Sequence, residues 1–117
     1  LAPLPGIDLL HHDPRFRPGF KNIVAELTGD WPLPRDLTIR LLNAENILAR
    51  PHYAPPLHRV PRAYPHRADA LPATDRAAGR FVNLPCGQQV SPGDIGRIVD
   101  CLGRIAQAAP ALRQMAA

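Results

Sequence analysis

The stretch FVNLPCGQQVSPGDIGRIVDCLGRIAQ, Phe81–Gln107, passes from a short strand pattern through a turn into an amphipathic helix. Phe81 to Leu84 is apolar and partly β-branched and stops at Pro85, which predicts a short strand. Ser91 then suits a helix cap, Pro92 the first helical position, and Asp94 completes a short-side-chain capping box. Ile95, Ile98, Val99, Leu102 and Ile105 recur at three- and four-residue steps, which gives the helix one apolar stripe. Such a stripe must be buried against another layer, and the preceding strand supplies the edge of one.

Outward from this unit the same rules recover further elements. FKNIVAEL, Phe20–Leu27, predicts a first strand before the turn signal Thr28-Gly29-Asp30. Pro34, Asp36 and the leucines at 37, 41 and 42 predict a helix over Pro34–Glu45. ILAR, Ile47–Arg50, reads as a short strand, and Thr74–Arg80 as a second short helix. Leu1–Gly19 is proline-rich and predicts an irregular opening segment. Residues 109–117, rich in alanine, predict a frayed tail. The expected fold is one α+β domain spanning 1–117, a small antiparallel or mixed sheet covered by helices on one face. No internal repeat is visible.

Composition narrows the function classes. The net charge is +4, carried by thirteen arginines and the single Lys21. These arginines are spread along the chain and do not gather on one predicted face, so a nucleic-acid-binding module is disfavoured. No run of about 18 apolar residues is present to span a membrane. No basic-then-apolar leader appears. The chain opens with LAPLPG and without methionine, as expected of a fragment or a processed product. Cys86 and Cys101 lack metal-ligand spacing and read as reduced packing residues of a cytoplasmic protein. Cys86, in LPCGQQ, has no recognisable base to activate it as a nucleophile.

The other unusual stretch is RPHYAPPLHRVPRAYPHR, Arg50–Arg67, with three histidines, two tyrosines and five prolines in eighteen residues. Its prolines exclude an α-helix and a central strand. Three roles fit such a stiff loop: a metal site, a nucleic-acid clamp, or one wall of an active site. His52, His58 and His66 stand six and eight residues apart with no carboxylate among them, which is not zinc spacing. Arg50, His52, Tyr53 and His58 instead offer cationic, proton-sharing and aromatic contacts suited to a phosphorylated or ring-bearing ligand. A proline-braced connector packed on the core is the plainer alternative.

The order of these residues resembles a known family. RDLTIRLLNAENILARPHYAPPLHRVPRAYP, then LPATDRAAGRFVNLPCGQQVSPGDIGRIVDCL, is similar to the C-terminal small domain of the DegT/DnrJ/EryC1/StrS sugar-nucleotide aminotransferases. The motifs are Arg35-Asp36-Leu37, Ala44-Glu45 with Ile47 and Arg50, Tyr53 through His58, Leu71 to Asp75, and Leu84-Pro85. The resemblance runs from about Gly6 to Arg104 with the motifs in family order.

The resemblance implies the small domain of a fold type I enzyme that uses pyridoxal phosphate. It implies transfer of an amino group, with glutamate as the expected donor, to a nucleotide-linked keto sugar. The implied partners are a large cofactor-binding domain of the same chain, a second copy in a homodimer, and the nucleotide sugar. It also implies His52, Tyr53, His58 and Arg50 as contacts to the cofactor–substrate cleft. Lys21 lies where no Schiff-base lysine is expected, so no catalytic residue and no tight cofactor binding are expected of this chain alone. Two alternatives stand beside this reading: a non-catalytic dimerisation or regulatory module derived from the family, and the dehydratase chemistry that some family members perform.

Overall fold

The computed structural model describes residues 4–19, 21–66 and 69–116. Its elements are β1 (Ile7–Leu9), β2 (Ile23–Leu27), α1 (Arg35–Ala44), β3 (Arg50–Pro51), α2 (Pro72–Arg80), β4 (Phe81–Leu84) and α3 (Pro92–Ala116), with a 3₁₀ turn at Leu57–Arg59. The strands form one sheet in the order β1-β2-β4-β3, and all three pairings are antiparallel. This is the α+β architecture expected, with the choice between antiparallel and mixed resolved in favour of the former.

The register sorts the side chains. Ile7, Leu9, Ile23, Ala25, Leu27, Val82 and Leu84 share one face, because Ile7 pairs with Leu27, Ala25 with Val82 and Ile23 with Leu84. Onto this face α1 brings Ile39 and Leu42, and α3 brings Ile98, Cys101, Leu102, Ile105 and Ala109. Leu42 and Leu102 lie at the centre of the core, fully buried. The alternate positions, Val24, Glu26, Phe81 and Asn83, stay half-buried on the opposite face.

Two strand starts differ from the sequence expectation. The first strand begins at Ile23 rather than Phe20, which lies outside the described residues. Its partner β4 ends at Leu84, before a proline without an N–H, and the Lys21 carbonyl accepts the Cys86 thiol at 3.2 Å instead. Residues 47–49 do not form strand, because they finish α1. Asn46 adopts φ 59° while the Ile47 amide donates to the Leu42 carbonyl and the Asn46 amide to that of Asn43. This is a Schellman cap with asparagine in the left-handed position. The Asn43 side chain then accepts the Ala49 amide at 2.9 Å, so pairing starts only at Arg50.

The ends of the chain are the larger correction. The opening segment contains β1, and the tail is helical through Ala116 rather than frayed. Ala109 and Leu112 continue the α3 stripe onto the core. Arg113 donates through Nε to the Pro32 carbonyl at 2.8 Å, which fastens the last turns despite Pro110 within the helix.

The start of α3 matches its expected cap in full. The Ser91 amide and hydroxyl donate to Asp94 Oδ2 at 3.0 and 2.7 Å, and the Asp94 amide donates back to Ser91 Oγ at 3.1 Å. The Ser91 side-chain bond, then its amide and the charge of Arg97, hold the Asp94 carboxyl below its ordinary value. A depressed carboxyl stabilises the folded state above its unfolded pKa and loses that contribution as pH falls through the folded one. Asp94→Asn is therefore expected to flatten the acid limb of the unfolding profile below about pH 4, with little change at neutral pH in that slope. An acid limb identical to wild type in a pH series of denaturant melts would contradict it.

Candidate functional site

The loop after β3 leaves the sheet at its edge, where Pro51 needs no ladder donor. The His52 amide extends the pairing by one bond to the Phe81 carbonyl at 3.2 Å. Beyond it the chain folds outward as a flap. The His52 and Tyr53 rings stack at 4.4 Å, and Tyr53 is 63% exposed. Stacking two flat rings on a proline-braced segment holds them at little entropic cost, and leaves the phenol free to meet a ligand.

The next turn behaves differently. Pro56, which needs no N–H as a cap, leads into the 3₁₀ turn Leu57–Arg59. The sequence excluded an α-helix here correctly, yet the chain closes this single tighter turn through Arg59 N–H to the Pro56 carbonyl at 2.9 Å. It aims His58 and Arg59 together at the first turn of α2. Arg59 grips Asp75 with both ends of its fork, Nε to Oδ1 at 2.8 Å and Nη2 to Oδ2 at 2.7 Å. His58 Nε2 lies 3.1 Å from Asp75 Oδ1 with its side chain only 13% exposed. That approach is off the axis of a proper hydrogen bond, so the contact is one of charge and proximity. Hydrogen bonds from Arg59 above all, then the charges of Arg59 and His58, outweigh desolvation and hold the Asp75 carboxyl below its ordinary range.

The four residues singled out in the sequence are therefore not gathered into one pocket. His52 and Tyr53 stand together on the outer flap. His58 faces α2 and lines a cavity of about 490 Å³ with Arg59, His66, Asp69 and Asp75, which includes neither His52 nor Tyr53. Arg50 is exposed on the edge strand, opposite Asn83. Among the described residues no group of three or more His, Cys, Asp or Glu is arranged to hold a metal. Farther along the flap, Arg62 donates to the Tyr64 hydroxyl at 2.8 Å and lies over its ring.

Two motif residues have structural work that sequence alone did not reveal. Arg35, its side chain 8% exposed, donates to the Ala78 carbonyl in the last turn of α2 and pairs with Asp36 at 2.8 Å. A cation at that helix end satisfies an orphan carbonyl and complements the dipole. Asp75 was legible only as part of a helix start. Its partners stand 16 and 17 positions earlier, so no local pattern announces them.

The family model of the DegT/DnrJ/EryC1/StrS aminotransferases matches residues 4–103. The chain belongs to this family. Among solved structures it is similar to DesI, crystallised in the presence of its TDP-sugar product, with a TM-score of 0.83 and 30% identity. The match covers 98% of this chain but 30% of the DesI chain, so the chain spans less than a third of that relative. No curated protein sequence matches.

Pyridoxal phosphate, expected for this aminotransferase family, would call on a lysine for its aldehyde and on backbone donors for its phosphate. Lys21 is exposed just ahead of β2 and does not line the cavity beside His58. The N-terminus of α3, where a phosphate would find backbone donors, already holds the Asp94 carboxylate. The residues present do not fit the cofactor, and no chemical step is assigned to them.

Proposed function

We propose that this chain is the small domain of a pyridoxal-phosphate-dependent aminotransferase that acts on a nucleotide-linked keto sugar. The observation that carries the reading is the likeness to DesI over 98% of the chain, in a protein whose structure was determined with its TDP-sugar product. In this reading a large domain holds the cofactor and this one supplies ligand contacts. Glutamate is the proposed amino donor, a cytoplasmic homodimer the proposed state. Among the described residues no helix is long and apolar enough to cross a membrane.

The chain's own part is binding and orientation. The stacked His52 and Tyr53 rings present an aromatic face and a phenol, groups that pack on a sugar ring or base and hydrogen-bond its hydroxyls. Arg50, which has no ion-pair partner among the described residues, suits a diphosphate. His58 belongs to the same flap but faces inward, so its contribution to the ligand is by support.

The test is an isotope transfer with the full-length protein. Incubated with ¹⁵N-glutamate and a nucleotide-linked keto sugar, it is expected to place the label on the sugar carbon. Label retained wholly in glutamate while the sugar loses water would assign dehydratase chemistry instead and overturn the proposal.

A further inference from the structure

Among the described residues, polar contacts tie the flap to the sheet and to α2 at two places, His52 and Asp75. Its outer residues Tyr53, Leu57 and Tyr64 are well exposed. Arg62 bonds to Tyr64 and approaches the Leu57 carbonyl, contacts made within the flap. At one end the flap is tied to β4 by the His52 amide. The next tie is at Asp75, where one carboxylate accepts the Arg59 fork and lies 3.1 Å from His58 Nε2. Between these ties lie Tyr53, Ala54, Pro55, Pro56 and Leu57, and the two prolines stiffen the span.

We propose that Asp75 is a positioning residue: from the first turn of α2 it clamps His58 and Arg59, and so sets where His52 and Tyr53 stand. The geometry gives it this role because it is the shared partner of two consecutive flap side chains that the 3₁₀ turn directs the same way. Both His58 ring nitrogens are buried and have no aligned hydrogen-bond partner among the described residues, so the carboxylate is the ring's electrostatic counterpart. Exposed ion pairs add little to global stability, and Arg59 is largely exposed. The effect of Asp75 is therefore local, on the order of the flap rather than on the unfolding of the domain. Its consequence for the ligand rests on the proposed function, whereas the clamp itself does not.

The experiment compares wild type with Asp75→Asn in the full-length protein. Amide exchange at Arg59 and Val60, both bonded within the turn, is expected to speed up about tenfold or more while the α3 amides keep their rates. The KM for the nucleotide sugar is expected to rise about tenfold with the KM for the amino donor unchanged, and Asp75→Glu to recover part of both effects. Unchanged exchange would overturn the clamp. Faster exchange with an unchanged sugar KM would overturn the positioning role. A wild-type protein without sugar amination would count against the proposed function alone, since exchange still reads the clamp. Should Asp75→Asn not fold, Arg59→Gln on the exposed side of the same pair carries the same expectations.

Discussion

Gly6→Ala is expected to destabilise the domain by about 2–5 kcal/mol, adding about 1–2 for a left-handed alanine to about 1–3 for overpacking. Gly6 has φ 82°, and a Cβ there would stand 2.2 Å from the Trp31 nitrogen and 2.5 Å from its Cα. Neither atom belongs to a flexible side chain, so relief requires moving the backbone. The Gly6 carbonyl accepts the Thr28 amide at 2.9 Å just where β1 begins and β2 ends, and the displacement would reach that bond. It would also reach Trp31, a core residue whose indole N–H donates to Thr38 Oγ1 at 2.8 Å. Against a total stability of roughly 5–15 kcal/mol, this is a large fraction. Urea unfolding reads it as a midpoint lowered by about 1 M or more. A midpoint within experimental error of wild type would show that β1 is not held through this contact.

Gly6 also marks the limit of what the sequence discloses. β1 is three residues long, IDL, and its existence depends on a tryptophan 25 positions away that packs its own backbone against the turn. No local window contains that contact. The start of α3, by contrast, was legible because every partner of its cap lies within four residues. The end of α3 departs from its local signals for the complementary reason. Alanine content and Pro110 signal fraying locally, whereas Ala109 packs on the core and Arg113 reaches back to Pro32.

The flap divides in the same way. Its proline stiffening follows from composition, whereas the exposure of Tyr53 does not, since a connector packed on the core has the same composition. The placement of His58 does not follow either, since it depends on Asp75, which is far along the chain and brought near by α2. Sequence similarity assigns His52, Tyr53 and His58, and after them Arg50, to one cleft, and the geometry separates them. Tyr53 is exposed with the half-buried His52 ring stacked on it, the His58 ring faces α2, and one guanidinium sits at the sheet edge.

The second large effect concerns activity. Removing the His52 ring takes away the surface on which Tyr53 stacks, and Tyr53→Phe removes the phenol alone. A lost hydrogen bond to a ligand costs about 0.5–1.5 kcal/mol when neutral and about 1.5–3 when charged. Tyr53→Phe is therefore expected to lower kcat/KM for the nucleotide sugar by about 3–10-fold. His52→Ala, which loses the ring and loosens Tyr53, is expected to lower it by about 10-fold or more. Both sites lie outside the hydrophobic core, so neither change should alter the melting temperature materially.

The most direct measurement is kcat/KM of the full-length His52→Ala protein for the nucleotide sugar, set beside its half-reaction with the amino donor. If the flap meets the sugar nucleotide, the first falls by about tenfold or more and the second is unchanged. Equal loss in both, or loss in neither, would contradict the placement of His52 and Tyr53 against the sugar ligand.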